Sequence, residues 1–293
     1  MSDTMLAIDL GGTRYRAGLA TPADPASVTP IGEWPAPLSR DAFVDQVASQ
    51  LAEHGATRLG IGVPGLARDT ICRWVPNLPY LDGLDLTTAF PNIAIGLGND
   101  AQFALLAEAS AGSAHGLSDA ILLAIGTGIG SAVLSGGRIV AGAGGGACSF
   151  GWAAADLDDP GEDRSGWLER HASGRALDEA ARSIGIGSGI ALVSAARGGD
   201  ARAAAALERP ARSLGTALAG AVALLDPEAV IIAGGVASSL DVLAPLILEP
   251  LRHHLPPHLR GITIRPGHFG PRAGLVGAAF AGARGPAWRT NHG

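Results

Sequence analysis

The chain has 293 residues, 47% of them hydrophobic, enough for two domains with buried cores. A net charge of −6 leaves no basic footprint for nucleic acid or an anionic membrane surface, and no apolar run is long enough to span a bilayer. Two cysteines, Cys72 and Cys148, are too few for a disulfide framework and stand in no metal-ligand spacing. With no basic, apolar leader at Met1–Leu10, a cytoplasmic location is expected. Glycine is abundant, at 43 residues, which points to tight turns and close backbone approaches.

In chain order, Met5–Leu10 and Tyr15–Ala20 read as a hairpin joined by Gly11-Gly12-Thr13-Arg14. Phe43, Val44, Val47 and Leu51 have helical spacing over Asp41–His54, and Gly55 stops that helix. Arg58–Val63 and Ile93–Leu97 read as buried strands, the second leading through Asn99-Asp100 into a helix over Ala101–Ser110. Strands alternating with helices predict an α/β sheet. Asp119–Ile125, Gly126-Thr127-Gly128 and Ile129–Leu134 then repeat the opening strand–turn–strand form, so two related domains are expected, 1–115 and 116–272. Helical sequence dominates Gly166–Leu225, where Pro210 is expected to mark a boundary or kink. Glu228–Ala233 reads as a strand ending in Gly234-Gly235, and a small-residue helix within 273–293 is expected to pack back on the first domain.

Three Gly-rich turns thus follow apolar strands, at Gly11-Gly12-Thr13, Gly126-Thr127-Gly128 and Gly234-Gly235. Such turns let backbone N–H groups approach a phosphate, and the threonine hydroxyls add donors. Asp9 precedes the first turn, where Mg²⁺ accompanying ATP would need an oxygen ligand, directly or through water. One such turn alone is only a hairpin; three in this order with Asp9 favour a nucleotide-phosphate site. No GxxxxGK[ST] loop is present, and the GxGxG string at Gly126–Gly130 opens a strand instead of a helix, against a dinucleotide site.

The chain resembles the ROK family (repressor, open reading frame, kinase) of bacterial sugar kinases. The matching pieces are Asp9–Arg16, Gly62–Gly65, Asn77–Asp82, Asn99-Asp100, Gly126–Gly130, Gly166–Glu169 with Ala172–Gly174, and Ala233–Val236. They recur in family order over nearly the whole chain. The resemblance implies an actin-like (ribonuclease H-like, hexokinase-type) two-domain fold with an ATP/sugar cleft. It implies Mg-ATP as phosphoryl donor, Asp100 as catalytic base, and Asn77, Asn99 and Glu169 as sugar contacts. The residues' own chemistry also allows Asp100 to be a helix N-cap and Asn77 and Asn99 to be turn residues. A homodimer is implied too.

Where the family carries Gly-Glu-x-Gly-His, this chain has Cys148-Ser149-Phe150-Gly151-Trp152. Ser149 replaces a sugar-contacting Glu, Trp152 replaces a His, and Gly144 stands where Asn is common. No Cys lies between Asp156 and Trp167, where the family has a zinc motif, and Trp167 takes the last cysteine's place. No structural zinc is therefore expected; Trp152 and Trp167 are expected to form an apolar cluster instead, the alternative being that one or both rings sit at the surface or line the sugar site. The function implied is ATP-dependent phosphorylation of a sugar hydroxyl, glucose-like in the first instance. An N-acylmannosamine or another unusual sugar or cyclitol is the alternative. A transcriptional regulator is a remote expectation, since Asp9 stands too near the start for a preceding DNA-binding motif, and a non-catalytic sensor is remote because Asp9, Thr13, Asp100 and Thr127 keep the phosphate and base positions.

Overall fold

In the computed structural model residues 3–289 are described. The chain divides into two compact units. The first comprises Met1–Gly116, Gly136–Ala147 and Pro271–Gly293, the second Leu117–Ser135 and Cys148–Gly270. The segment 136–147, which sequence reading places in the second domain, clusters with the first unit; there the Gly145 backbone lies against the Ala67 carbonyl and Gly146 against Leu66.

The first unit opens with β1 (Thr4–Leu10), β2 (Arg14–Thr21) and β3 (Asp24–Pro35), followed by α1 (Arg40–Glu53) and β4 (Ala56–Val63). A small hairpin of β5 (Leu66–Arg68) and β6 (Ile71–Trp74) precedes the single-turn α2 (Leu86–Ala89), β7 (Ala94–Asn99) and α3 (Asp100–Ala111). The sheet order is β3-β2-β1-β4-β7, with β1, β4 and β7 parallel. Alternation puts Leu6, Ile8 and Leu10 into a core shared with Phe43, Val47 and Leu51 of α1. The strand β3 is not among the elements expected from sequence; it carries Pro25, Pro30 and Pro35 and lies at the sheet edge, where proline is tolerated.

In the second unit β8 (Ala120–Ile125) pairs antiparallel with β9 (Ile129–Ser135); the short β10 (Arg138–Ile139), next in the chain, belongs to the 136–147 segment of the first unit. Helices α4 (Trp167–Ala172), α5 (Gly174–Ser183), α6 (Gly189–Arg197) and α7 (Ala201–Leu225) follow. After them come β11 (Ala229–Ala233), α8 (Leu240–His253) and β12 (Ile264–Pro266). The strands run β9-β8-β11-β12, with β11 parallel to both β8 and β12. Pro210 neither ends nor divides α7, which runs unbroken through it. Its ring is buried, and packing of α7 on α4, α6 and α8 outweighs the one hydrogen bond that proline cannot donate.

The last helix, α9 (Ala273–Arg284), returns to the first unit and lies against α3 and β4. It sits so close that a Cβ on Gly60 would fall 1.7 Å from the Ala278 carbonyl oxygen, and one on Gly277 would fall 1.9 Å from that of Phe103. A short 3₁₀ turn, Gly285–Arg289, completes the described chain, where Trp288 Nε1 donates to the Leu97 carbonyl at 2.9 Å. The remainder of the helical segment expected up to 293 lies outside the described residues.

Candidate functional site

In the first unit the parallel strands β1, β4 and β7 end side by side, with Asp9 opposite Gly62 and Val63 opposite Asn99. Groups beyond the carboxyl ends of parallel strands are where open α/β sheets place ligands. Asp9 leaves the end of β1 into the first Gly-rich turn, closed by a hydrogen bond from Gly11 N to the Arg14 carbonyl at 2.8 Å. Thr13 is exposed on that turn, and Asn77 lies against Gly12, where a Cβ would come within 2.9 Å of the Asn77 Cβ. Asp100 leaves the end of β7 as the first residue of α3. The N-cap is Asn99, not Asp100: its Oδ1 accepts from Ala101 N at 2.9 Å, while its Nδ2 donates to the Gly65 carbonyl at 3.1 Å. Asn99 thereby fixes the helix start and the neighbouring loop, and with them the carboxylate of Asp100.

The two carboxylates share an unfavourable environment. Burial pushes the Asp100 pKa up to about 6, the Asp9 charge adds to this, and hydrogen bonds including that from Ala101 N at 2.7 Å oppose it. Asp9 is also raised, chiefly by burial, with Arg16 acting the other way from 3.4 Å. A pair of like-charged carboxyls, one poised near neutrality, is the arrangement expected of a proton acceptor beside a cation site. The carboxylate chemistry of Asp9 is compatible with Mg²⁺ carried by ATP, as a candidate oxygen ligand directly or through water.

In the second unit the other two turns also follow parallel strands, β8 and β11. Gly126 N donates to the Gly128 carbonyl at 3.0 Å across the second turn, and Thr127 is exposed. The third begins at Gly234, whose φ of +79° and approach to the end of β8 favour glycine; a Cβ would lie 2.5 Å from the Ile125 carbonyl oxygen. At Gly126 and at Gly235 an added Cβ would meet nothing within 4 Å, leaving the space that a phosphate or nucleoside group needs. Glu169 comes up beside the second turn: its Oε2 accepts from Ile129 N at 3.1 Å, and its Oε1 accepts from Arg175 at 2.8 Å. Ser149 precedes and Trp152 ends a short 3₁₀ turn, Phe150–Trp152, whose Gly151 packs on Ile129 and beside the Cβ of Glu169. Ser149 is exposed and Trp152 is 53% exposed.

The expected tryptophan cluster is not formed. Trp167 is 7% exposed and stacks on His171 with ring centroids 4.5 Å apart, whereas Trp152 is turned to solvent. Gly166 packs directly on Gly151 and the Trp152 Cα, so the backbones meet here while the Trp152 ring lies at the surface, the alternative arrangement. The residues at the family's zinc positions offer no thiolate or imidazole and do not fit a structural zinc. Arg170 closes the segment instead, donating to both oxygens of Asp159 at 2.8 and 2.6 Å and to the Ser165 carbonyl at 3.2 Å. Substitution of Arg170 by Met is therefore expected to raise proteolytic nicking within 156–166 without altering nucleotide binding; limited proteolysis reads this.

Comparison with known proteins decides the family. The family model described as "ROK family" matches residues 5–283. The chain belongs to the ROK family. N-acetylmannosamine kinase of Shigella flexneri is 33% identical over 298 residues, covering 94% of this chain and 97% of that protein. The ROK family glucokinase from Streptomyces griseus, solved with glucose and AMPPNP, superposes with a TM-score of 0.78 at 26% identity, over 96% of this chain and 100% of that one. ROK hexokinase from Thermus thermophilus gives 0.77 at 28%, over 94% and 97%. The actin-like fold of ROK sugar kinases is therefore the fold of this chain.

Sequence reading missed Arg16 and Arg175. A hairpin register pairing Asp9 with Arg16 would have revealed the first, since facing residues of an antiparallel pair share a side of the sheet. Nothing local signals the second. Glu169 fills the space beside Gly128 so closely that a Cβ there would stand 2.5 Å from its Oε2. Gly128→Ala is expected to push that flexible carboxylate aside and raise the sugar KM roughly tenfold, about the worth of one charge-assisted hydrogen bond, with the melting temperature little changed. Steady-state kinetics with a thermal melt checks both halves.

Proposed function

We propose that this ATP-dependent sugar kinase transfers the γ-phosphoryl group to the primary hydroxyl of a hexose, with Asp100 as general base. The observation that carries the reading is the Asp9–Asp100 pair at the ends of β1 and β7 beside the first Gly-rich turn, with Asp100 raised to about 6. A base of that strength is ionised at neutral pH yet strong enough to take a hydroxyl proton as the phosphoryl group is transferred. Bound Mg²⁺, held by the ATP phosphates and by Asp9 directly or through water, would supply charge neutralisation at the phosphates. The turns Gly11–Thr13 and Gly126–Gly128 would cradle the phosphates, with Gly234-Gly235 by the nucleoside. Asn77 and Glu169 would contact the sugar hydroxyls.

For the acceptor, the curated relatives at 33% identity favour N-acetylmannosamine over the glucose-like sugar expected from sequence. Ser149 and Trp152 support a pocket wall less charged than one bearing Glu and His: a half-exposed indole beside the Glu169 segment offers an apolar surface for an acetyl methyl group. The test is ADP release with Mg-ATP over N-acetylmannosamine, mannose, glucose, N-acetylglucosamine and a cyclitol. N-acetylmannosamine should exceed mannose in kcat/KM by about tenfold or more, since loss of an acyl group removes both a methyl contact and a hydrogen-bonding amide. Glucose as the best substrate would reverse the choice of sugar, and silence with every acceptor would overturn the kinase reading.

A further inference from the structure

Residues 169–175 hold the second Gly-rich turn at four consecutive points. Gly174 N donates to the Gly126 carbonyl at 2.7 Å, and Arg175 Nε donates to the Thr127 carbonyl at 3.1 Å. The Glu169 carboxylate lies over Gly128 and accepts from Ile129 N at 3.1 Å. Arg175 also reaches back to Glu169 Oε1 at 2.8 Å, so one guanidinium spans the turn carbonyl and the carboxylate. Its side chain is 62% exposed, so it contributes little to the core. An arginine fork holds two acceptors in a fixed relation, which a lysine point charge does not.

We propose that Arg175 is a positioning residue for phosphoryl transfer: it locks the sugar-side carboxylate of Glu169 to the phosphate turn at Thr127, so that sugar and nucleotide binding strengthen one another. The inference rests on the kinase reading above. With Arg175 in place, a sugar that fixes Glu169 also fixes the turn that meets the phosphates, and nucleotide fixes Glu169 in return, as reciprocity between linked sites requires. Without it, Glu169 keeps its contact with Ile129 N and Gly174 N keeps the Gly126 carbonyl, but the Thr127 carbonyl loses its tie to the carboxylate and the link between the two sites weakens.

The experiment is calorimetric titration of wild type, Arg175→Met and Arg175→Lys with N-acetylmannosamine and with glucose, each with and without Mg-AMPPNP. In wild type the nucleotide should tighten sugar binding by about fivefold or more; in Arg175→Met that factor should fall by about half or more, and Arg175→Lys should recover part of it. Pairing Arg175→Met with Glu169→Gln should cost sugar affinity no more than Glu169→Gln alone, since the two act as a unit. Coupling in Arg175→Met equal to wild type overturns the assignment. So does a loss confined to nucleotide affinity, which would make Arg175 a direct phosphate contact. Wild type that binds neither sugar defeats the kinase reading itself, an outcome separate from both.

Discussion

Asp100→Asn is expected to lower kcat by about 10²–10⁴ while leaving the fold intact, the loss typical of removing a general base. The substitution keeps the size of the side chain and its place at the first turn of α3, so Asn99 still caps that helix. The pH profile carries the stricter part. Because the base must be ionised, kcat/KM of the wild type should rise with pH through about 6 and level off above it, and that limb should vanish in the variant. Stability should respond in the opposite sense. The folded-state pKa is raised above the ordinary 3.8, so the favourable contribution is complete below about pH 4 and is lost as pH rises through about 6. At pH 7–8 the Asn variant should therefore be more stable, by about 1–2 kcal/mol, a value discounted because Asp100 keeps partial solvent contact. A variant of unchanged turnover would remove Asp100 from the chemistry. One that is inactive and also less stable would mean that the carboxylate serves structure.

The largest structural effect is expected at Gly60, in the middle of β4. Gly60→Ala places a methyl group 1.7 Å from the Ala278 carbonyl oxygen and 2.9 Å from Gly282 N, and both are backbone atoms of α9 that no side-chain rotation can move aside. The helix must withdraw from a sheet against which nearly its whole length, Leu275 to Gly282, is buried. A cost of about 4 kcal/mol or more follows, beyond ordinary overpacking, and appears as a melting temperature lowered by roughly 10 °C or as insoluble protein. Gly220→Ala is the control: Gly220 is exposed on α7 with nothing within 4 Å, so alanine should stabilise by about 0.5–1 kcal/mol through helix propensity. Equal behaviour of the two variants would refute the close packing of α9 on β4.

The contrast between these glycines shows what could be read from sequence. The Gly-rich turns were legible because turn chemistry is local: Asp9 followed by Gly11-Gly12-Thr13 declares a strand end and a tight loop within a few residues. Strands β1, β2, β4, β8 and β9, and helices α1 and α9, were legible for the same reason, through apolar runs of the right length between breakers. Gly60 carried no such signal, because what it must avoid, Ala278, lies more than two hundred residues away in sequence. The path of α7 through Pro210, the edge strand β3 with its three prolines, and the parting of Trp152 from Trp167 were each decided by tertiary packing. Arg175 was invisible for another reason: an arginine opening an amphipathic helix has many ordinary uses, and only the fold reveals Thr127 and Glu169 within its reach. Asn99 and Asp100 were found as a pair, but their division of labour required the helix start itself, with Asn99 capping and Asp100 presenting its carboxylate.

The most direct test follows the phosphoryl group itself. Wild-type protein is incubated with Mg-ATP, with and without N-acetylmannosamine and glucose, at pH 5 to 8, and ADP and sugar phosphate are quantified together by ³¹P NMR. ADP and a phosphomonoester on the primary hydroxyl are expected in equal amounts, formed only when the acceptor is present, at a rate that rises through about pH 6. ADP released equally with and without sugar, or a rate that falls as pH rises through that range, would contradict this.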